Sequence, residues 1–219
     1  MKIYEEILEE NSLCFDIGAN VGNKTAIMLT KSTKVICVEP QEICVNKLKK
    51  RFMDNKNVII IDKGCGSEVG TKTLYISQFD TLSTMSKEFI ETTKKQRFTG
   101  VSWGKGVDVQ ITTLDSLINE YGVPTFCKID IEGFEFEVLK GLSQPIPYLS
   151  LEFTPELKEN TFKSIDYLNS LNPNYKFNYS EGESGVFMFS EWVNSDIIKN
   201  YLLLNNDFKI SFGDLYAKF

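Results

Sequence analysis

The sequence predicts one α/β domain built on a Rossmann-like, mostly parallel sheet. Three observations predict it. Apolar strand-like runs and helical patterns alternate from residue 13 onward. The runs carry Val, Ile and Phe with few polar breaks, as strands covered on both faces do. The first run delivers the chain into a glycine turn, Gly18-Ala19-Asn20-Val21-Gly22. The 219 residues suffice for one sizeable core and fall short of two full domains. A single domain over 1–219 is therefore expected.

The elements follow in order. Residues 1–12 are acidic and amphipathic, which suits a short helix packed on the domain and not a signal peptide. Strand-like segments lie at 13–17, 34–39, 57–62, 107–112, 126–131 and 147–153. Helix-like segments lie at 23–31, 41–54, 114–121, 134–142 and 160–171. In the second of these, Cys44, Leu48 and Phe52 recur at helical spacing, leaving Lys47, Lys49, Lys50 and Arg51 to a solvated face. Residues 66–77 place a turn before alternating polar and apolar positions, which predicts an extra strand. Residues 78–106 form a polar, glycine-punctuated insertion containing Phe89, Phe98 and Trp103. Such an insertion is either a lid or substrate loop, or a lightly packed surface segment. After residue 172 the pattern turns β-rich, with strands expected at 175–179, 186–189 and 208–212 and a helix around 194–204. An antiparallel hairpin closing the sheet is the simplest reading.

Composition excludes several functions. Net charge is −6, a poor match for a nucleic-acid partner. No apolar run reaches the ~18 residues of a membrane span. The five cysteines (14, 37, 44, 65 and 127) form no C-x-x-C pair, and several lie in apolar runs. They suit small buried hydrophobes in a reducing, cytoplasmic setting. The chain has no histidine, so histidine triads, histidine metal sites and a histidine base are all excluded.

The glycine turn points to an adenosine ligand. Glu39 ends the next apolar run, 21 residues on from Gly18. An acidic residue at about 20 residues from the turn accepts hydrogen bonds from ribose hydroxyls. The turn has two glycines where a dinucleotide fingerprint has three, and Asp16 stands just before it. Fewer close backbone approaches suit a ligand without pyrophosphate. An aspartate there suits a cationic or amine-bearing one. S-adenosylmethionine meets both conditions; a helix-starting loop without a ligand is the alternative.

A second constellation follows at 128–142. Lys128, Asp130 and Glu132 fall at the end of a strand, where open α/β sheets place their ligands. Strand alternation puts all three on one side. Gly133 allows an exit into a helix whose buried face is Phe134, Val138, Leu139 and Leu142, with Glu135, Glu137 and Lys140 decorating the rest. Without histidine, a carboxylate or a lysine is the candidate general base. Glu132 has an alternative role at the helix N-terminus. Glu152 ends the next strand. Asp130 and Glu152 from two strands are a thin case for a divalent cation, a salt bridge with Lys128 explains them as well, and no metal is expected.

The segments Asp16–Gly22, Val38-Glu39-Pro40, 113–117 and Lys128–Glu135 together resemble the FkbM family of S-adenosylmethionine-dependent methyltransferases, as does the terminal Phe-Gly-Asp-Leu-Tyr-Ala. The resemblance spans roughly 13–219. It implies a class I methyltransferase fold, a seven-stranded mostly parallel sheet with an antiparallel C-terminal hairpin. It implies methionine binding around Asp16, Gly18, Asn20 and Gly22, ribose at Glu39, and adenine near Asp62 and Gly64. It also implies methylation of a hydroxyl on a sugar, glycan, polyketide or related metabolite. Asp130 is then the expected base, with Glu132 or Lys128 orienting it. The alternatives are an NAD-dependent oxidoreductase and a non-catalytic S-adenosylmethionine-binding or scaffold protein of the same fold. The sequence leaves the acceptor and the oligomeric state open.

Overall fold

A computed structural model describes residues 2–204 and 212–219. The elements are α1 (Lys2–Ile7), β1 (Ser12–Ile17), α2 (Asn23–Met28), β2 (Ser32–Val38), α3 (Glu42–Arg51) and β3 (Val58–Ile61). There follow β4 (Gly64–Cys65), β5 (Gly70–Leu74), α4 (Lys87–Thr93), β6 (Val107–Thr112), α5 (Leu114–Tyr121) and β7 (Phe126–Ile129). The chain closes with α6 (Glu135–Leu139), β8 (Tyr148–Phe153), α7 (Lys158–Leu171), β9 (Lys176–Glu181), α8 (Ser195–Leu204) and β10 (Gly213–Lys218).

Seven strands form one sheet in the order β3-β2-β1-β7-β8-β10-β9. All neighbours from β3 to β8 are parallel, and β10 runs antiparallel between β8 and β9. The expected sheet and its antiparallel closure are both present. One apolar layer centres on Phe15, Ile129, Leu151 and Leu215, and a second, including Ile3 and Tyr4 of α1, lies on Cys14, Val35 and Phe126. The strand order reverses between β1 and β7, the position at which open α/β sheets bind ligands beyond the strand carboxyl ends. Among the described residues no helix is long and apolar enough to cross a membrane.

Three expectations need correcting. Segment 107–112 is a strand, but it joins a separate three-stranded sheet, β4-β6-β5. Its residues alternate and only Ile111 and Thr112 are buried, so it suits a sheet open to water on one side. The strand expected at 186–189 is absent. Asn178 supplies the ladder in its place: its Oδ1 accepts from the Phe189 amide at 3.1 Å and its Nδ2 donates to the Phe189 carbonyl at 2.9 Å. Gly182 and Gly185, both at positive φ, bend the chain away from extended geometry there. Glu135, expected on the solvated face of its helix, is 8% exposed. Its Oε1 accepts from the amides of Ile131 and Gly133, at 3.1 and 3.2 Å. Those donors lie in the turn before a short helix and have no partner within it. Most of the strand expected at 208–212 lies outside the described residues.

The insertion 78–106 is folded. Bridges Tyr75–Thr84 and Ser77–Trp103 close its stem. Ser86 caps α4 by accepting from the Phe89 amide at 3.0 Å. Phe89 is fully buried against Phe98 and Trp103, and the Trp103 indole donates to the Leu82 carbonyl at 2.7 Å.

Candidate active site

A cavity of about 560 Å³ opens at the carboxyl ends of the central strands. Its walls come from the turn after β1, the loops after β2, β3 and β7, Glu152 near the carboxyl end of β8, and the insertion. The volume is in the usual range for a small-molecule site.

The turn is set by its contacts with the strands on either side. The Gly18 amide donates to the Val38 carbonyl at 2.9 Å, and the Asp130 amide donates to the Ile17 carbonyl at 3.0 Å. Gly18 has φ +83°, and a Cβ on it would stand 1.9 Å from the Asp130 carbonyl oxygen. A side chain here would push the turn off the end of β7. Gly22, also at φ +82°, faces Phe52 and Leu48 on α3 and lies outside the cavity. Asn20 lines the cavity at φ +47°, and its own Oδ1 accepts from the Val21 amide at 2.8 Å.

Glu39 lies in the cavity wall, 3% exposed. Its two carboxylate oxygens accept from the amides of Asn20 and Gln41, each at 2.9 Å. Burial pushes its carboxyl up to about 7, against the pull of those two amides. The acidic residue and the glycine turn, well separated in sequence, are therefore one hydrogen-bonded unit.

Asp16 is buried behind the turn and does not line the cavity. It accepts from the Thr25 hydroxyl at 2.5 Å. Burial raises its carboxyl, while the Thr25 bond and the Lys128 charge oppose the shift. Asp62 is exposed and outside the wall, whereas Gly64 is part of it.

The end of β7 carries the second group. Lys128 is 1% exposed, and its Nζ lies 2.5 Å from Asp130 Oδ2 and 3.9 Å from Asp214 Oδ1. Burial acts against its charge, but the two aspartates outweigh burial and hold the ammonium protonated. Asp130 and Glu132 both face the cavity. The strand ends at Ile129, so strand alternation does not bring them together; a turn with Glu132 at φ +56° does. Glu152 from the end of β8 joins them, with a carboxylate oxygen of each residue within 4.8 Å of the others. Burial, then the neighbouring carboxylates, raises Glu132 and Glu152 well above the ordinary range. Burial therefore favours the protonated form of these two glutamates.

The insertion, expected as a lid or substrate loop or as a surface segment, contributes to the wall, and of its lining residues sequence reasoning had singled out Phe98. Ser83, Thr84, Met85, Arg97 and Phe98 all line the cavity. Gln41 bridges to this segment: its Oε1 accepts from the Ser83 hydroxyl at 2.8 Å, and its Nε2 donates to the Asp80 carbonyl at 2.9 Å. Thr84 reaches the other side, donating to the Glu132 carbonyl at 2.7 Å. Gln41 stands two residues from Glu39 and was findable by that adjacency. Arg97, which binds Glu156 at 2.8 Å, carried no signal.

Comparison with known proteins gives this geometry a context. A family model described as the methyltransferase FkbM domain matches residues 16–179. Methyltransferase sdnD of Sordaria araneosa is 29% identical over 165 residues, covering 63% of this chain and 62% of that protein. The structure of methyltransferase FkbM from Methylobacillus flagellatus KT superposes with a TM-score of 0.57 at 18% identity, over 98% of this chain and 49% of that one. Precorrin-6y C5,15-methyltransferase from Geobacter metallireducens GS-15 gives 0.50 at 9% identity, over 100% and 87% of the two chains. These two structures share the fold. The chain spans under two thirds of the length of sdnD and about half that of the Methylobacillus protein.

Proposed function

We propose that this chain, which belongs to the FkbM methyltransferase family, uses S-adenosylmethionine to methylate a hydroxyl oxygen of a small sugar, glycan, polyketide or related metabolite. One observation carries the reading: Glu39 and Asp130 face one cavity from opposite sides of the turn at Gly18. The donor set fits the cofactor. Glu39 suits ribose hydroxyls, Val38, Leu74 and Met85 give an apolar wall for the base, and Gly18 and Asn20 of the turn line the wall for the methionine part. Bound there, S-adenosylmethionine supplies an electrophilic methyl group.

The protein's remaining task is alignment, which supplies several kcal/mol, up to ~7–11 in the best intramolecular cases. Asp130 accepts a hydrogen bond from the acceptor hydroxyl and takes its proton as the oxygen gains the methyl. Lys128 fixes the Asp130 carboxylate through the 2.5 Å contact. Glu132 and Glu152, whose carboxyls burial raises well above the ordinary range, are placed to hydrogen-bond further acceptor hydroxyls. The insertion closes the acceptor side with Arg97 and Phe98. Five buried, unpaired cysteines support a reducing, cytoplasmic setting.

Calorimetry with S-adenosylmethionine, S-adenosylhomocysteine and NAD tests the cofactor. Binding of the first two and not the third is expected; an inert scaffold binds none. Transfer of a 13C-labelled methyl to a panel of hydroxylated and aminated acceptors then tests the chemistry, since the methyl carbon shift separates methoxy from N-methyl products. Exclusive N-methylation would refute the oxygen assignment.

A further inference from the structure

Lys128 is the one fully buried lysine among the described residues. A buried ammonium needs an anion beside it at all times. Asp130 supplies one at 2.5 Å, but Asp130 faces the cavity and becomes neutral whenever it takes a proton. Asp214 stands 3.9 Å from the same nitrogen on the other side. It lies on β10, opposite Glu152 in the antiparallel register, and does not line the cavity. Its side chain is 16% exposed, against 36% for Asp130.

We propose that Asp214 is the resident counter-ion of Lys128, a positioning residue that balances the ammonium while Asp130 carries the acceptor's proton. The inference rests on Asp130 being the base. With both aspartates ionised the three groups sum to −1, and a proton on Asp130 brings them to zero. Without Asp214 they start at zero, and the same proton leaves an unbalanced positive charge in the interior. Asp214 thereby makes proton uptake at Asp130 easier and lets the lysine shift its hold toward β10. The other groups facing Lys128 are Tyr4 from α1, Asp16 from β1, Tyr216 from β10, and Glu132 and Glu152 across the cavity. None of these takes over the role. Asp16 is committed to Thr25, Tyr4 and Tyr216 are neutral phenols raised by burial, and among the described residues only Asp130 and Asp214 bring a carboxylate within 4.0 Å of the Lys128 nitrogen. Burial raises the Asp214 carboxyl, the Lys128 charge opposes that shift, and Lys24 and Glu183 act on it with opposite signs.

The test is a 13C NMR titration of the Asp130 carboxyl in the full chain, assigned by its loss in D130N and needing no acceptor. In D214N the midpoint is expected to fall by about one pH unit, a tenfold loss of proton affinity, and D214E is expected to restore most of it. A folded D214N with an unmoved midpoint would overturn the proposal. Should D214N fail to fold, the wild-type Lys128 15Nζ signal decides: it is expected to stay that of a buried ammonium while Asp130 is titrated. Lysine deprotonation or exposure coincident with the Asp130 midpoint would overturn the proposal. The reading of Asp130 as base is tested separately. Full turnover in D130N sinks that reading, while an unmoved midpoint in D214N sinks only the role of Asp214.

Discussion

Gly18→Ala tests the link between the glycine turn and the end of β7. The backbone there holds φ +83°, and the new Cβ would stand 1.9 Å from the Asp130 carbonyl oxygen. Left-handed geometry costs a non-glycine residue about 1–2 kcal/mol. Overpacking against fixed backbone adds about 1–3 kcal/mol. The stiffer unfolded chain returns about 0.4–1 kcal/mol. The net destabilisation is about 3 kcal/mol, which lowers the melting temperature of a chain of this size by roughly 6–12 °C at ~2–4 °C per kcal/mol. Displacing the turn also moves the Asn20 amide off Glu39, so S-adenosylhomocysteine affinity should fall at least about tenfold, or ~1.4 kcal/mol. Differential scanning fluorimetry and calorimetry measure the two effects. Gly70→Ala is the control, because nothing lies within 4 Å of its added Cβ. If Gly18→Ala melts with the wild type and binds S-adenosylhomocysteine equally well, the turn does not depend on close packing against β7 and the reasoning fails.

Three further outcomes are expected. Glu39→Ala strands the amides of Asn20 and Gln41 and removes the proposed ribose acceptor; calorimetry should show S-adenosylhomocysteine affinity lower by about 10–100-fold, the value of one charged hydrogen bond at ~1.5–3 kcal/mol. Glu39 and Glu135 are each raised to about 7 in the folded chain. The folded state then keeps protons that the unfolded state has released, so their contribution to stability is greatest below the ordinary carboxylate range and falls as pH rises toward 7. Urea unfolding at a series of pH values should show this loss, up to about 3 kcal/mol per group, and Glu39→Gln should flatten the slope. Trp103→Ala removes the contact with Phe89 and the bond to Leu82; it should cost about 2–3 kcal/mol and speed proteolysis within 78–106, while S-adenosylhomocysteine affinity stays within threefold.

Local pattern was enough for the parts of the molecule governed by it. The parallel strands are apolar runs buried on both faces, and Glu39 follows from its distance to Gly18. Lys128 and Asp130 were visible as a pair because they sit on one short segment. Other features depended on the folded chain, Glu135 on a local turn and the rest on partners remote in sequence. Segment 107–112 has a strand pattern, but which sheet it joins depends on β4 and β5. Glu135 looks like a surface residue, yet the turn at Glu132 and Gly133 needs an acceptor for two free amides. Asp214 approaches Lys128 only because β10 inserts beside β8, a pairing that no spacing encodes. Arg97 and Phe98 reach the cavity because the stem between Tyr75 and Trp103 closes, which is likewise a property of the folded chain.

The anchoring of the insertion bears on how such a chain diversifies. Its stem is held at Thr84 to the Glu132 carbonyl and through Ser83 to Gln41. The cavity-facing Arg97 and Phe98 lie beyond those points. Substitutions at these two positions can therefore reshape that wall while Glu39, Gly18 and Lys128 keep their places. The part of the cavity wall formed by Arg97 and Phe98 is thus separated from Glu39 and Lys128 by hydrogen-bonded pins, so it can be altered without rebuilding the sheet.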